Sequence, residues 1–156
     1  MSIGLPDFKS ASDIRRYFNE LQNELRTMQS IQESIEFLEA CGAPMTKRLS
    51  LVQYNTGIKR SDYLDEAADL QKMLEEFKKQ VDDHTYDCLF LLSLVGSKRD
   101  RLIMSFKYLQ LKSFNEISKE LEQRGFGRIG YPAYDRAIAR AFDSIYKTLL
   151  NKESGV

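Results

Sequence analysis

A chain of 156 residues with 42% hydrophobic and 29% charged side chains is long enough for one domain, or for a small domain with a helical extension. Its longest apolar run, residues 88–95, falls far short of the ~20 residues a membrane-spanning helix needs, and residues 1–9 lack a basic, apolar secretory head. Two distant cysteines, Cys41 and Cys88, and a single histidine, His84, are too few for a structural zinc site, so a cytoplasmic protein with reduced thiols is expected.

The net charge of zero conceals an asymmetry. Residues 1–96 carry 11 Lys and Arg against 16 Asp and Glu, whereas residues 97–156 carry 12 against 7. The basic segment is where a polyanionic partner is to be sought.

The three prolines, Pro6, Pro44 and Pro132, fall outside or at the edges of the periodic segments, which leaves long helices uninterrupted. The first helix is expected over residues 12–40, ending before Gly42. Ile14, Phe18, Leu21, Leu25, Met28, Gln32 and Ile35 follow a 4-3-4-3 spacing, the seam of a coiled coil, widened by Ile31 and Leu38. Gln32 on that seam would fix register at a cost in stability. A second helix is expected from Ser61 or Asp62, with Leu64, Ala67, Leu70, Leu74, Phe77 and Val81 facing inward and an acidic first turn that suits the helix dipole. The two form a helical hairpin, with intramolecular pairing favoured over a dimerisation arm. The intervening residues 41–60, with Lys47, Arg48, Lys59 and Arg60, form a long basic loop. Residues 84–95 read as a separate short buried helix ended by Gly96, with Cys88 in the core. His84 beside Asp82, Asp83 and Asp87 reads as an acid-rich helix start rather than a metal or acid–base cluster.

Three further helices follow. Ser97 with Asp100 is a capping-box-like start, and Leu102, Ile103, Phe106 and Leu109 form that helix's inner face. Ser113 with Glu116 is an S-x-x-E capping box opening a helix to about Arg124, with Phe114, Ile117 and Leu121 inward and Gly125 and Gly127 ending it. Pro132 suits the first turn of the last helix, which runs to about Leu150. There Tyr134, Ile138, Phe142, Ile145 and Leu149 form an apolar stripe, while Arg136, Arg140 and Lys147 share another face with the small residues Ala133 and Ala137. Small side chains permit close approach, and guanidinium groups match guanine edges and phosphate oxygens, which suits such a helix to the major groove.

The stretch RLIMSFKYLQLKSFNEISKEL followed by YPAYDRAIARAFDSIYKTLL resembles the region-four-like helix-turn-helix of sigma factors, with Tyr108, Ser113, Glu116, Ile117, Ser118 and Leu121 at matching positions. A helical N-terminal part followed by such a unit is similar to phage and prophage transcriptional activators of the ArpU and RinA type. The resemblance covers the last third of the chain well and the first half by architecture alone. It implies an all-α fold, with a long coiled-coil-like helical hairpin over residues 1–83 for dimerisation or partner binding. A C-terminal helix-turn-helix bundle over residues 84–156 would bind DNA. It further implies that Tyr131, Ala133, Tyr134, Arg136, Ala137 and Arg140 face the groove, with Lys147 farther along, and that Lys112 and Ser113 contact phosphate at a helix start. The connection RGFGRIGY, residues 124–131, is longer than that family's tight turn, and its Arg124 and Arg128 are candidates for the phosphate backbone.

No nucleotide-binding, zinc-protease, hydrolase or kinase signature occurs, so neither catalysis nor a cofactor or metal is expected. The expected partners are double-stranded DNA, RNA polymerase and a second copy of the chain, with no membrane. A small-terminase-like DNA-packaging protein and a sigma-like adaptor without DNA affinity are the competing expectations.

Overall fold

The computed structural model describes residues 5–42 and 60–153. Among them there is no strand, and the chain is all-α: α1 (Ala11–Cys41), α2 (Arg60–Leu92), α3 (Lys98–Met104) continued by a π-helical turn (Ser105–Leu109), α4 (Phe114–Gln123) and α5 (Tyr131–Glu153). A long N-terminal helix pair precedes three shorter C-terminal elements, as expected. None of these helices is long and apolar enough to cross a membrane. The Lys47, Arg48 and Lys59 cluster lies outside the described residues.

The chain divides into two compact units, Leu25–Val81 and Met1–Glu24 with Asp82–Val156. The division expected after residue 83 therefore leaves out one exchange: the first turns of α1 belong with the C-terminal helices. The expected break before His84 is absent, because α2 runs through it without a helix-breaking residue.

In the unit Leu25–Val81, Ile35, Tyr63, Ala67, Leu74 and Val81 are buried, and Leu25, Met28 and Ile31 are half-buried. Two seam positions differ from expectation. Gln32 is exposed and donates to Glu36 on its own helix at 3.4 Å. Ile35, expected on the seam, is buried, and Ile31, expected to widen it, is half-buried. Tyr63 is inward where Leu64 was expected, and Leu64 is exposed.

The other unit is built on the first turns of α1 and the last turns of α2, which run antiparallel. The Tyr17 hydroxyl donates to Asp87 at 3.0 Å, and farther along α1 Glu24 meets His84 Nδ1 at 2.9 Å. His84 Nε2 donates to the carbonyl oxygen of Tyr17, also at 2.9 Å. His84 and Asp87 are thus parts of a buried polar network inside one helix pair, not of a helix start. Burial, reinforced by the bond to Asp87, pushes the Tyr17 hydroxyl above its ordinary range, and burial does the same for the Cys88 thiol.

Against this pair the C-terminal helices close a core centred on Phe18, Tyr108 and Phe142. Their rings meet edge-to-face at 5.4, 5.4 and 5.8 Å, a geometry that adds about 0.5–1.5 kcal/mol per pair beyond area burial. The π-helical turn puts Tyr108 there. The Gln110 N–H bonds the Ser105 carbonyl and the Lys112 N–H the Phe106 carbonyl, at 3.1 and 2.9 Å. The wider turn rotates the chain from Ser105 on, so Phe106 and Tyr108 are buried while Leu109, expected inward, is half-exposed; before it Ile103 and Met104 are buried and Leu102, also expected inward, is half-exposed. The Lys107 carbonyl accepts from Gln22 Nε2 at 3.0 Å. Leu111 closes the turn at φ 56°, a left-handed conformation that costs a non-glycine residue about 1 kcal/mol or more.

Candidate nucleic-acid interface

The candidate residues sit on α4, on α5 and between them. Ser113 caps α4 in the expected way: its hydroxyl accepts from the Glu116 N–H at 3.3 Å, and its own N–H donates to Glu116 Oε1 at 3.1 Å. Those bonds, the backbone one first, hold the Glu116 carboxyl below the usual carboxylate range. Ile117 and Leu121 are wholly buried, each contributing about 2 kcal/mol of apolar burial.

α4 ends in a Schellman arrangement. The Phe126 N–H bonds the Leu121 carbonyl at 2.9 Å and the Gly125 N–H the Glu122 carbonyl at 3.2 Å, with Gly125 at φ 85°. Gly127, at φ 78°, makes a second reversal, and the buried Ile129 anchors the connection. The Gly130 carbonyl then accepts from the Tyr134 N–H at 2.9 Å, and Pro132 lies in the first turn of α5. Rings join the two helix starts, Phe114 to Tyr131 at 5.2 Å and Phe114 to Tyr134 at 5.1 Å.

Of the residues expected to face the groove, two do not. Tyr134 is buried, its hydroxyl pushed up to about 12 by that burial first and by neighbouring tyrosines and Asp135 after it. Ala137 is also buried, because it lies one residue from Arg136 and hence about 100° around the helix, on the core side with Ile138 and Ala141. The small residue on the basic face is Ala139. Arg136, Ala139, Arg140 and Lys147 line one shallow groove along α5, together with Asp143, Ser144 and Asn151. The i, i+4, i+11 spacing had already grouped the three cations, and extending it by three residues identifies Ala139. Tyr131 is exposed, at 57%, and Ala133 is half-exposed.

The cations differ in how free they are. Arg140 forks onto Asp100 of α3, Nε to Oδ2 at 2.8 Å and Nη2 to Oδ1 at 3.0 Å. Asp100 is only 2% exposed, so the arginine that looks like a reader also neutralises a buried acid. That bond raises the Arg140 guanidinium above its ordinary range. Ser97 caps α3 as expected, accepting from the Asp100 N–H at 3.3 Å, but the Asp100 carboxylate turns to Arg140 and does not complete a capping box. Lys112 and Arg124 share Glu120, at 3.1 and 3.6 Å, and Arg128 pairs with Glu122 at 3.2 Å. The Lys112 bond is the main reason the Glu120 carboxyl lies below its usual range. Arg136 and Lys147 are exposed and make no ion pair among the described residues. Lys107 lies half-buried above the Tyr108 and Tyr134 rings, its ammonium disfavoured by burial first and by Arg15 second.

The charge asymmetry shrinks when counted by structural unit. Residues 1–24 with 82–156 carry 15 Lys and Arg against 14 Asp and Glu, a balance of +1 in place of the +5 of residues 97–156 alone. Basic character here is a property of one helix face, not of the unit. Among the described residues no group of three His, Cys, Asp or Glu side chains is arranged to hold a metal ion. Comparison with protein-family models, with curated proteins and with solved structures returned no match.

Proposed function

We propose that the protein is a sequence-specific double-stranded-DNA-binding regulator of transcription, acting as a binding protein rather than a catalyst and docking through the exposed face of α5. The observation that carries this reading is the pair of cations, Arg136 and Lys147, without an ion pair among the described residues, on the solvent side of a helix whose other side is fixed in a core. Ala139 between them allows close approach, and the capped α4 with its glycine-ended connection precedes them in the order a helix-turn-helix requires. The resemblance to region-four-like units and to ArpU and RinA type activators supports the same reading. On it, Arg136 is the base-reading candidate, while Lys147, Arg128 and Arg124 engage phosphate, the last two after exchanging their glutamate partners. RNA polymerase is the partner this class implies, in a bacterial or phage-infected cytoplasm.

An adaptor without DNA affinity is the second reading. It is favoured by the near neutrality of the unit and by the pairing of Lys112, Arg124 and Arg128 with glutamates.

Selection from a random duplex pool, followed by fluorescence anisotropy on the enriched duplex at two salt concentrations, separates the two. The comparison is between wild type and Arg136→Ala/Lys147→Ala, which leaves the Arg140–Asp100 pair intact. Removing the phosphate contact of Lys147 flattens the dependence of log K on log salt by about 1, and removing the base contact of Arg136 relaxes the sequence preference. A pool that does not enrich, or an enriched duplex that the double variant binds as tightly and with the same slope, refutes the α5 interface.

A further inference from the structure

Earlier in α2 the large apolar residues that are exposed, Leu64 and Met73, stand singly, but in its last turns they cluster. Tyr86, Leu89 and Phe90 are 39, 50 and 36% exposed, three large apolar side chains within five residues. Single exposed apolar residues are ordinary on a protein surface, but a contiguous cluster marks an interaction site. Leu89 is also one wall of a groove of about 420 Å³, formed with Leu92 and Ser93 and closed on the other side by Lys98, Arg101, Leu102 and Ser105 of α3 and the π-helical turn. The floor is leucine. The rim is cationic: Lys98 and Arg101 are exposed and make no ion pair among the described residues. A third cation, Lys152, lies 5.3 Å above the Phe90 ring.

We infer that this groove is a docking site for an acidic amphipathic helix of another protein. Apolar anchors spaced i, i+3 or i+4 and i+7 would enter between Leu89 and Leu102, with carboxylates meeting Lys98 and Arg101. The charge pattern decides the partner's chemistry. A nucleic acid would pair with the cations but gain nothing from the leucine floor, and a membrane surface calls for a protruding apolar face rather than a concave one. Two desolvated leucines at the centre and charges at the edge give anchoring and orientation respectively. The groove uses neither Arg136 nor Lys147, so it stands or falls independently of the DNA-binding proposal.

The test uses the full chain with labelled leucine methyl groups and two helical probe peptides of about 16 residues, long enough for four turns. The peptides share one Leu/Phe stripe and differ only in an outer face of Glu or of Lys. The Glu peptide is expected to shift the Leu89, Leu92 and Leu102 methyls saturably, and the Lys peptide to bind about tenfold or more weakly. Lys98→Glu/Arg101→Glu, both at exposed positions, is expected to invert that order while circular dichroism stays unchanged. The inference is overturned if the Glu peptide leaves those three methyls unmoved or if both peptides move them equally. It is also overturned if Arg136→Ala/Lys147→Ala abolishes the shifts. Methyl shifts that depend on protein concentration without peptide would make a second copy the occupant and overturn it as well.

Discussion

Replacing Arg140 by alanine removes the partner of a carboxylate that the fold has already buried. Asp100 is 2% exposed and takes two short bonds from that guanidinium, at 2.8 and 3.0 Å, leaving Arg99 Nε at 3.9 Å as its nearest remaining cation. Breaking a fully buried pair from one side costs about 3–5 kcal/mol, because the surviving charge is stranded. The Arg140 side chain is 56% exposed, so water screens part of the interaction and the expected cost falls to about 2 kcal/mol. For a chain of this length that corresponds to a fall in Tm of roughly 4–8 °C. Asp100→Asn alone should cost less, since the freed guanidinium is solvated. The double variant should cost less than the sum of the two, with a coupling of about 1 kcal/mol or more. Urea unfolding followed by circular dichroism at neutral pH measures all four corners of the cycle. Arg140→Ala within about 0.5 kcal/mol of wild type, or strictly additive singles, would refute the claim that this pair stitches α3 to α5. The result also bears on the interface, because any loss of DNA affinity in an Arg140 variant mixes a lost contact with a loosened helix.

Two further predictions concern the ends of α4. The Glu116 carboxyl is held below its ordinary range in the folded chain, so its stabilisation is present above the unfolded value of about 4.3 and is lost as pH falls through the folded one. Glu116→Gln keeps an acceptor for the Ser113 N–H but does not titrate. Its urea midpoint should therefore decline less steeply than that of wild type below about pH 4, and parallel curves would refute the linkage. At the other end Gly125, at φ 85°, has open space where a Cβ would stand but a backbone that L residues rarely adopt. Gly125→Ala should lower stability by about 1 kcal/mol through backbone strain alone, whereas Gly125→Asn should cost less; equal stability of all three proteins would refute the assignment.

What the sequence disclosed was local. The S-x-x-E box, the glycines after α4, Pro132 in the first turn of α5 and the apolar stripe from Tyr134 to Ile145 each depend on neighbours a few residues away, and each lies where its pattern indicates. What it withheld was set by partners distant in the chain or by a change of helical period. The Asp100–Arg140 fork spans 40 residues and the His84–Glu24 contact 60, so neither leaves a spacing signal. The π-helical turn at Ser105–Leu109 moves Tyr108 inward in place of Leu109, and a 3.6-residue template applied through it necessarily misassigns the inner face. Ala137, expected with Ala133 as a small residue on the basic face, fails as a groove residue for a simpler reason: it directly follows Arg136, and helical neighbours in sequence do not share a face.

The same geometry constrains how the proposed interface would work. Of the cations singled out from the sequence, Lys112, Arg124, Arg128 and Arg140 already have an acidic partner within 4.0 Å. An incoming phosphate must compete with Glu120 for Lys112 and Arg124, and with Glu122 for Arg128, so these contacts return only the difference between two ion pairs. Exposed pairs of that kind are worth about 0–1 kcal/mol, so the exchange is feasible for Arg128, while Lys112 and Arg140 are held more firmly by partly or fully buried partners. Affinity would then rest disproportionately on Arg136 and Lys147, which give up no ion pair among the described residues on binding. A scan of single alanine substitutions should rank them first, Arg128 next and Lys112 last in lost affinity, after correction for folding stability. A ranking led by Lys112 or Arg124 would move the interface from the exposed face of α5 to the start of α4 and the connection that follows it.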